Sequence, residues 1–169
     1  MHIRRLGPAD GAAYRQLRLL GLLESPSAFG SCHEQEVERP VADFEAALEE
    51  GSGRQVFGVF VGTELVGMVA FDREAGRKEQ HRAHIRGMVV DPAARGRGIG
   101  RDLMGAVMAF AQAQPGLRLV TLSVTAGNRP AIALYERFGF EVFGRLPEAL
   151  LVDGVFHAEI EMLRRLDAG

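Results

Sequence analysis

The stretch MVVDPAARGRGIGRDLM, Met88 to Met104, constrains this chain more than any other. Three apolar residues lead to Asp91-Pro92, then to Arg95, Gly96, Arg97, Gly98, Ile99 and Gly100, and then to an amphipathic run. Proline has no N–H to give a sheet and biases the residue before it toward extended backbone, so the apolar run reads as a strand that ends at Asp91. A strand that feeds a glycine-rich turn into a helix gathers unpaired backbone N–H groups and the positive end of the helix dipole at one spot. Arg95, Arg97 and Arg101 add charge-assisted donors around that spot, which makes a pyrophosphate its natural guest. The P-loop is excluded because Ile99-Gly100-Arg101 stands where Gly-Lys-Ser/Thr is required. The dinucleotide fingerprint is excluded because Arg101 sits where a glycine is required. On these residues alone, a helix N-terminus with solvated arginines remains the alternative.

The rest of the chain supplies alternating elements around this unit. His2 to Arg5 reads as a short strand and Pro8 to Leu23 as a helix, followed by a loop from Glu24 to Pro40. Val41 to Glu49 is a second helix, and VFGVFVGTELVGMVAF reads as a hairpin turning at Gly62-Thr63-Glu64. His81 to Val90 is a strand, Gly98 to Gln114 a helix, and Leu117 to Val124 a strand rich in β-branched residues. Pro130 to Phe138 is a helix stopped by Gly139, and Phe140 to Leu166 reads as two strands turning at Asp153-Gly154. Strands that begin antiparallel and later alternate with helices predict a mixed α/β sheet with helices on its faces.

Composition decides what surrounds that sheet. At 169 residues, 47% hydrophobic and 25% charged, the chain is sized for one domain spanning 1–169. Twenty basic and twenty-two acidic residues give a net charge of -2, which offers no overall field for nucleic acid or an anionic membrane surface. No apolar run approaches the roughly 20 residues of a membrane span, and the first residues lack a signal-peptide core. A lone Cys32 cannot form an internal disulfide, so the expected setting is the cytoplasm.

Two motifs together resemble a known family. Arg95, Gly98 and Gly100 fill the acetyl-CoA loop signature of the GNAT superfamily of N-acetyltransferases: Arg or Gln, two residues, Gly, one residue, Gly or Ala. SVTAGNRPAIALYERFGF, Ser123 to Phe140, is similar to the family's later strand, asparagine, helix, tyrosine and Gly-Phe ending. The resemblance runs from about Val56 to Met162. It implies a GNAT acyl-CoA N-acyltransferase fold, with a central mixed sheet of about seven strands flanked by about four helices. It also implies acetyl-CoA as cosubstrate, no metal, and acetyl transfer to a primary amine by direct attack in a ternary complex. A small-molecule acceptor is preferred because the sequence shows no strongly acidic or basic groove for a polypeptide. A protein N-terminal or lysine acetyltransferase is the rival enzyme, and an acyl-CoA-binding sensor without turnover is the rival of another class. No nucleic-acid or membrane partner is expected, and a homodimer stays open.

Acetyl transfer from a thioester to an amine needs a neutral amine, a polarised carbonyl and a proton for the departing thiolate. By the resemblance, Met88, Val89 and Val90 form the edge that pairs with the pantetheine arm, and the Val90 N–H polarises the carbonyl. Gly96, Arg97, Ile99 and Arg101 complete the loop that Arg95, Gly98 and Gly100 define. Tyr135 stands where the family keeps its general acid, although Ala131, Leu134, Tyr135 and Phe138 also form an apolar stripe in which a tyrosine can simply pack. Asn128, two helical turns earlier, is placed to bind the cofactor arm or to cap the helix before Pro130. His84 occupies the position where many members keep a glutamate base, and a water chain is its competitor. His81 is expected on the same strand with its ring on the opposite face. The loop from Glu24 to Pro40 falls where the family roofs the acceptor site, so Phe29, Glu34 and Glu36 are candidates to line it, although a run of acidic residues is more often a solvated face. Phe156 and His157 would supply the other wall.

Overall fold

The computed structural model describes residues 1–166. Its elements in chain order are β1 (His2–Arg5), α1 (Gly11–Glu24), α2 (His33–Glu36), α3 (Val41–Ala47), β2 (Arg54–Val61), β3 (Glu64–Arg73), β4 (Arg82–Val90), α4 (Ile99–Gln112), β5 (Leu119–Thr125), α5 (Arg129–Arg137), β6 (Glu141–Val152) and β7 (Val155–Arg165). The strands form one seven-stranded sheet in the order β1-β2-β3-β4-β5-β7-β6. Every neighbouring pair is antiparallel except β4 and β5, which run parallel.

Alternation along the strands explains the layers. Phe57, Val59, Val69, Phe71, Ala83, Ile85, Val120 and Leu122 point to one face, where they bury Ile99, Leu103, Met104, Val107 and Met108 of α4. Val56, Phe60, Met68 and Ala70 point to the other face and pack on Tyr14 and Leu17 of α1 and Phe44 of α3. β2 and β3 are therefore covered on both sides, which is why they read as nearly continuous apolar runs. On β4 the second face carries His84 and Arg86 in place of apolar residues, and the helical layer leaves space above them.

Three expectations need correction. The segment from Glu24 to Pro40 is not a loop throughout: it holds a 3-10 turn at Pro26–Ala28 and the helix α2, which brings the described residues to five α-helices. The first helix opens with a 3-10 turn at Pro8–Asp10, fixed by the Asp10 carboxylate, which accepts from the Gly7 N–H at 2.9 Å and pairs with Arg4 at 2.7 Å. His81 lies in the turn before β4 rather than on the strand, because the Arg82 N–H bonds back across it to the Glu79 carbonyl at 2.7 Å.

Candidate active site

The sheet opens where β4 and β5 separate. Their parallel pairing covers only Arg82–His84 against Leu119–Thr121, after which β5 continues beside β7 alone. The remainder of β4 thus has one unpaired edge. Met68 pairs with Val89 and Ala70 with Arg86, so three steps on β4 match two on β3, and the extra residue falls at Gly87–Met88. Gly87 has φ of 63°, a left-handed conformation that glycine adopts without strain, and the bulge turns the strand into the opening. The sequence reading passed over Gly87. Beyond the bulge the Asp91 N–H reaches back to the Val66 carbonyl on β3 at 2.9 Å, so the preceding residue, Val90, turns its main chain toward the open edge. The Val90 carbonyl there accepts from Arg95 Nε at 3.3 Å.

The turn after β4 has the features of an anion nest. Asp91 accepts from the Ala93 N–H at 2.8 Å and closes the Pro92–Ala94 turn, and Gly96 and Gly98 both take positive φ, 77° and 79°. The first main-chain bond of α4 is Asp102 N–H to the Gly98 carbonyl at 3.0 Å. The amides of Ile99, Gly100 and Arg101 are consequently left without a helical acceptor. These residues line a cleft of about 830 Å³ with Met88, Val89, Val90, Arg95, Gly96, Gly98, Asn128 and Tyr135. A diphosphate-bearing ligand fits this donor set: contiguous free amides, a helix N-terminus and the guanidinium groups of Arg95 and Arg101. Arg97 is exposed and does not line the cleft.

On the other side of β4 lies a cavity of about 440 Å³ whose lining includes His84, Arg86, Gly87, Ser123 and Glu159 from the sheet and Arg18, Phe29 and Glu36 from the helical layer. A small neck of about 60 Å³, lined by Phe29, Gly87, Met88, Ser123, Asn128 and Tyr135 among others, lies between the two spaces and shares lining residues with each. Phe29 and Glu36 therefore stand where a roof was expected. Glu34 does not: it lines a separate cavity beside Ala149 to Asp153. Phe156 and His157 also miss the 440 Å³ cavity, because they pair with Leu151 and Leu150 near the hairpin end. The wall is formed by Glu159, two positions further along the same strand than His157, a residue with no local signature.

Register places the polar groups in rows across the sheet. Arg54, Asp72, His84 and Thr121 are successive partners on β2, β3, β4 and β5. His84 is thus the last residue before the strands part, and its Nδ1 lies 2.9 Å from Thr121 Oγ1. Burial, reinforced by Arg86, holds the His84 imidazole below its ordinary value of 6.5, so the ring is neutral at neutral pH. Tyr135 is 8% exposed, packs edge-on against Phe140, and lines both the neck and the larger cleft. Burial pushes its phenol up to about 12. Asn128 Oδ1 accepts from the Ala131 N–H at 3.3 Å and so caps α5. Capping uses only the oxygen of its amide, and the residue lines the neck and the cleft as well.

Comparison with known proteins agrees with this architecture. The pattern of the Acetyltransferase (GNAT) family matches residues 20–140. The chain belongs to that family, a class of acetyl-CoA-dependent N-acetyltransferases. It is 34% identical over 126 residues to an uncharacterized protein of Mycobacterium leprae, covering 75% of this chain and 33% of that protein. It is 49% identical over 51 residues to the mycothiol acetyltransferase of Salinispora tropica, covering 30% of this chain and 17% of that protein. Identity to the N-alpha-acetyltransferase RimI of Mycobacterium tuberculosis is 35% over 105 residues, 62% of this chain and 63% of that one. The matched region spans a third or less of the first two relatives. A solved acetyltransferase of Salmonella typhimurium with its cofactor acetyl-CoA superimposes with a TM-score of 0.82 at 21% identity, over 100% of this chain and 95% of that one. Among the described residues no helix is long and apolar enough to cross a membrane.

Proposed function

We propose that this chain transfers the acetyl group of acetyl-CoA to a primary amine of a small-molecule acceptor by direct attack in a ternary complex. The observation that carries the reading is the pair of cavities that approach each other at the open edge of β4, around Gly87 and Met88. One space has the donor set for a diphosphate and an unpaired strand edge for an extended arm. The other is roofed by side chains and opens on the same point.

Acetyl-CoA supplies an acetyl group activated as a thioester. The amides of Ile99, Gly100 and Arg101, with Arg95, hold its diphosphate, and the edge of Met88, Val89 and Val90 orients its arm. The Val90 N–H, turned toward the opening, is the donor for the acetyl oxygen. His84 accepts the proton that the acceptor's ammonium must lose, a role open to an imidazole that is neutral at pH 7. Tyr135 keeps its proton until charge develops on the sulfur. The burial that raises the phenol keeps the hydroxyl protonated and available to donate at neutral pH. Asn128 holds the start of α5 with its oxygen and offers its NH₂ group to the arm.

The likeness to RimI favours a second reading, in which the acceptor is a protein N-terminus. An assay of thiol release from acetyl-CoA over a panel of small amines and short peptides tests both. Turnover on small amines is expected, turnover on peptides alone would select the second reading, and binding of acetyl-CoA without turnover on either would reduce the chain to a sensor.

A further inference from the structure

The acceptor cavity holds charge of opposite sign on its two walls, and this asymmetry deepens the reading above, on which it rests. Four arginines reach the cavity, yet most are neutralised within the protein. Arg18 pairs with Glu36 at 3.0 Å and Arg39 with Asp43 at 3.3 Å. Arg54 and Arg86 share a single carboxylate, Asp72, at 2.8 and 2.9 Å. Two cations on one anion leave a net charge of about +1 on the β2–β4 wall. Across the opening the balance reverses. Ser123 follows Thr121 by two positions on β5, so it faces the same side as His84 and Arg86, and its partner on β7 is Glu161. Glu159, two residues along β7 and therefore on the same face, pairs with Thr125. Among the described residues neither Glu159 nor Glu161 lies within ion-pair distance of a basic side chain.

Ser123 donates to Glu161 at 2.8 Å, which fixes that carboxylate without neutralising it. Glu159 is pushed up by burial and by Glu161, as expected of a carboxylate waiting for a cation. The helical layer adds a further donor to the positive side. Arg18 spends Nε and Nη2 on Glu36 and Ser31, and its Nη1 lies 3.5 Å from where a side chain on Gly87 would begin.

We infer that the acceptor is a zwitterion: its amine is drawn to Glu159, with Glu161 behind Ser123 adding negative charge, and a second, anionic group, of which a carboxylate is the simplest, is held against Arg86. Such a ligand completes both walls at once. A plain amine leaves the excess guanidinium unpaired, and a peptide N-terminus carries no carboxylate next to its amine.

The test compares amino acids with their amides, taken as matched pairs, in the thiol-release assay. The free acid is expected to show at least a ten-fold higher kcat/KM than its amide at a pH low enough for both amines to be protonated. Arg86→Ala should erase that preference by raising KM for the acid, and Arg86→Lys should restore most of it. Glu159→Gln should weaken acid and amide alike. Acetyl-CoA binding by calorimetry checks that each variant is folded and competent. Amides acetylated as well as acids, or a preference unchanged in Arg86→Ala, would overturn the inference while leaving acetyl transfer intact. Binding of acetyl-CoA with no turnover on any amine would overturn the transferase reading, and this inference with it.

Discussion

The cleft proposed for the cofactor and the cavity proposed for the acceptor meet at β4 but are made of different materials. The cleft's donors for a diphosphate are mainly main-chain amides at the start of α4, and its lining is drawn largely from two runs of sequence, Met88 to Arg101 and Asn128 to Arg137. The cavity is mainly side chains, contributed by α1, α2, α3, β2, β3, β4, β5 and β7 and the turns between them. A surface of backbone donors depends on local conformation, so its weak points are glycines. A surface of side chains depends on register and charge, so exchanges there change selectivity before they change donor binding.

The sharpest way to break this contrast is at Gly98, the left-handed residue before α4. In Gly98→Asp the new Cβ would lie 3.1 Å from Arg101 Nη2, in a backbone conformation that side chains resist, and the carboxylate would repel a diphosphate. Loss of acetyl-CoA affinity by about 100-fold or more, about 3 kcal/mol, is expected in titration calorimetry. The rise in melting temperature that the cosubstrate gives the unmodified protein should vanish with it. Retention of tight binding would show that the nest is not the anchor.

Tyr135→Phe sets the chemical step against binding. The ring still packs on Phe140 and only the hydroxyl is lost, so acetyl-CoA affinity should stay within about two-fold while kcat falls roughly ten-fold to a thousand-fold. A side chain that only packs would give a small stability change and unaltered turnover.

The same contrast explains what the sequence disclosed. The nest was legible because Arg95, Gly96, Gly98 and Gly100 are contiguous, and only a glycine-rich turn between strand and helix accounts for them. Most strands and the longer helices were legible for a similar reason, since each is a local pattern, whereas the short turn and helix between Glu24 and Pro40 carry too few residues to show one. Glu159, Ser123 and Arg18 were not legible, because each sits in a stretch whose local pattern is satisfied by an ordinary strand or helix. What brings them together is the register of β5 on β7 and the roof laid over the sheet. Gly87 was missed because a bulge is defined by the partner strand, which a single strand's residues do not reveal.

His84 lines the 440 Å³ cavity three residues before Gly87, away from the neck, and its effect is expected to be smaller than that of Tyr135. His84→Gln should lower kcat/KM by about ten-fold at neutral pH if the imidazole is the base, and by less if a water chain relieves the amine. The pH dependence separates the two. The imidazole titrates below 6.5, so the acid limb of the profile should lie below that value in the unmodified protein and be lost in the variant. The linkage to stability has a definite sign: the unfolded chain takes up this proton more readily than the folded one. The contribution is therefore whole above about 6.5 and is lost as the pH falls toward the folded value. An acid limb that persists in His84→Gln would assign the titration elsewhere.

Arg97 is the smallest test and the one that probes how far the cleft is main chain alone. It stands between two left-handed glycines, is exposed, and does not line the cleft, so its guanidinium can act on a bound diphosphate only through solvent. Screening decides the size of such an effect, because the Debye length is about 30 Å at 0.01 M salt and about 8 Å at 0.15 M. Arg97→Ala is accordingly expected to weaken acetyl-CoA binding about two-fold to five-fold at low salt and to leave it nearly unchanged at physiological ionic strength. Arg95→Ala should lose more at both, since Arg95 is tied to the Val90 carbonyl at the rim and lines the cleft. A loss at Arg97 that equals the loss at Arg95 and is insensitive to salt would mean that the loop closes over the phosphates when they bind. The cleft would then owe as much to side chains as the acceptor cavity does.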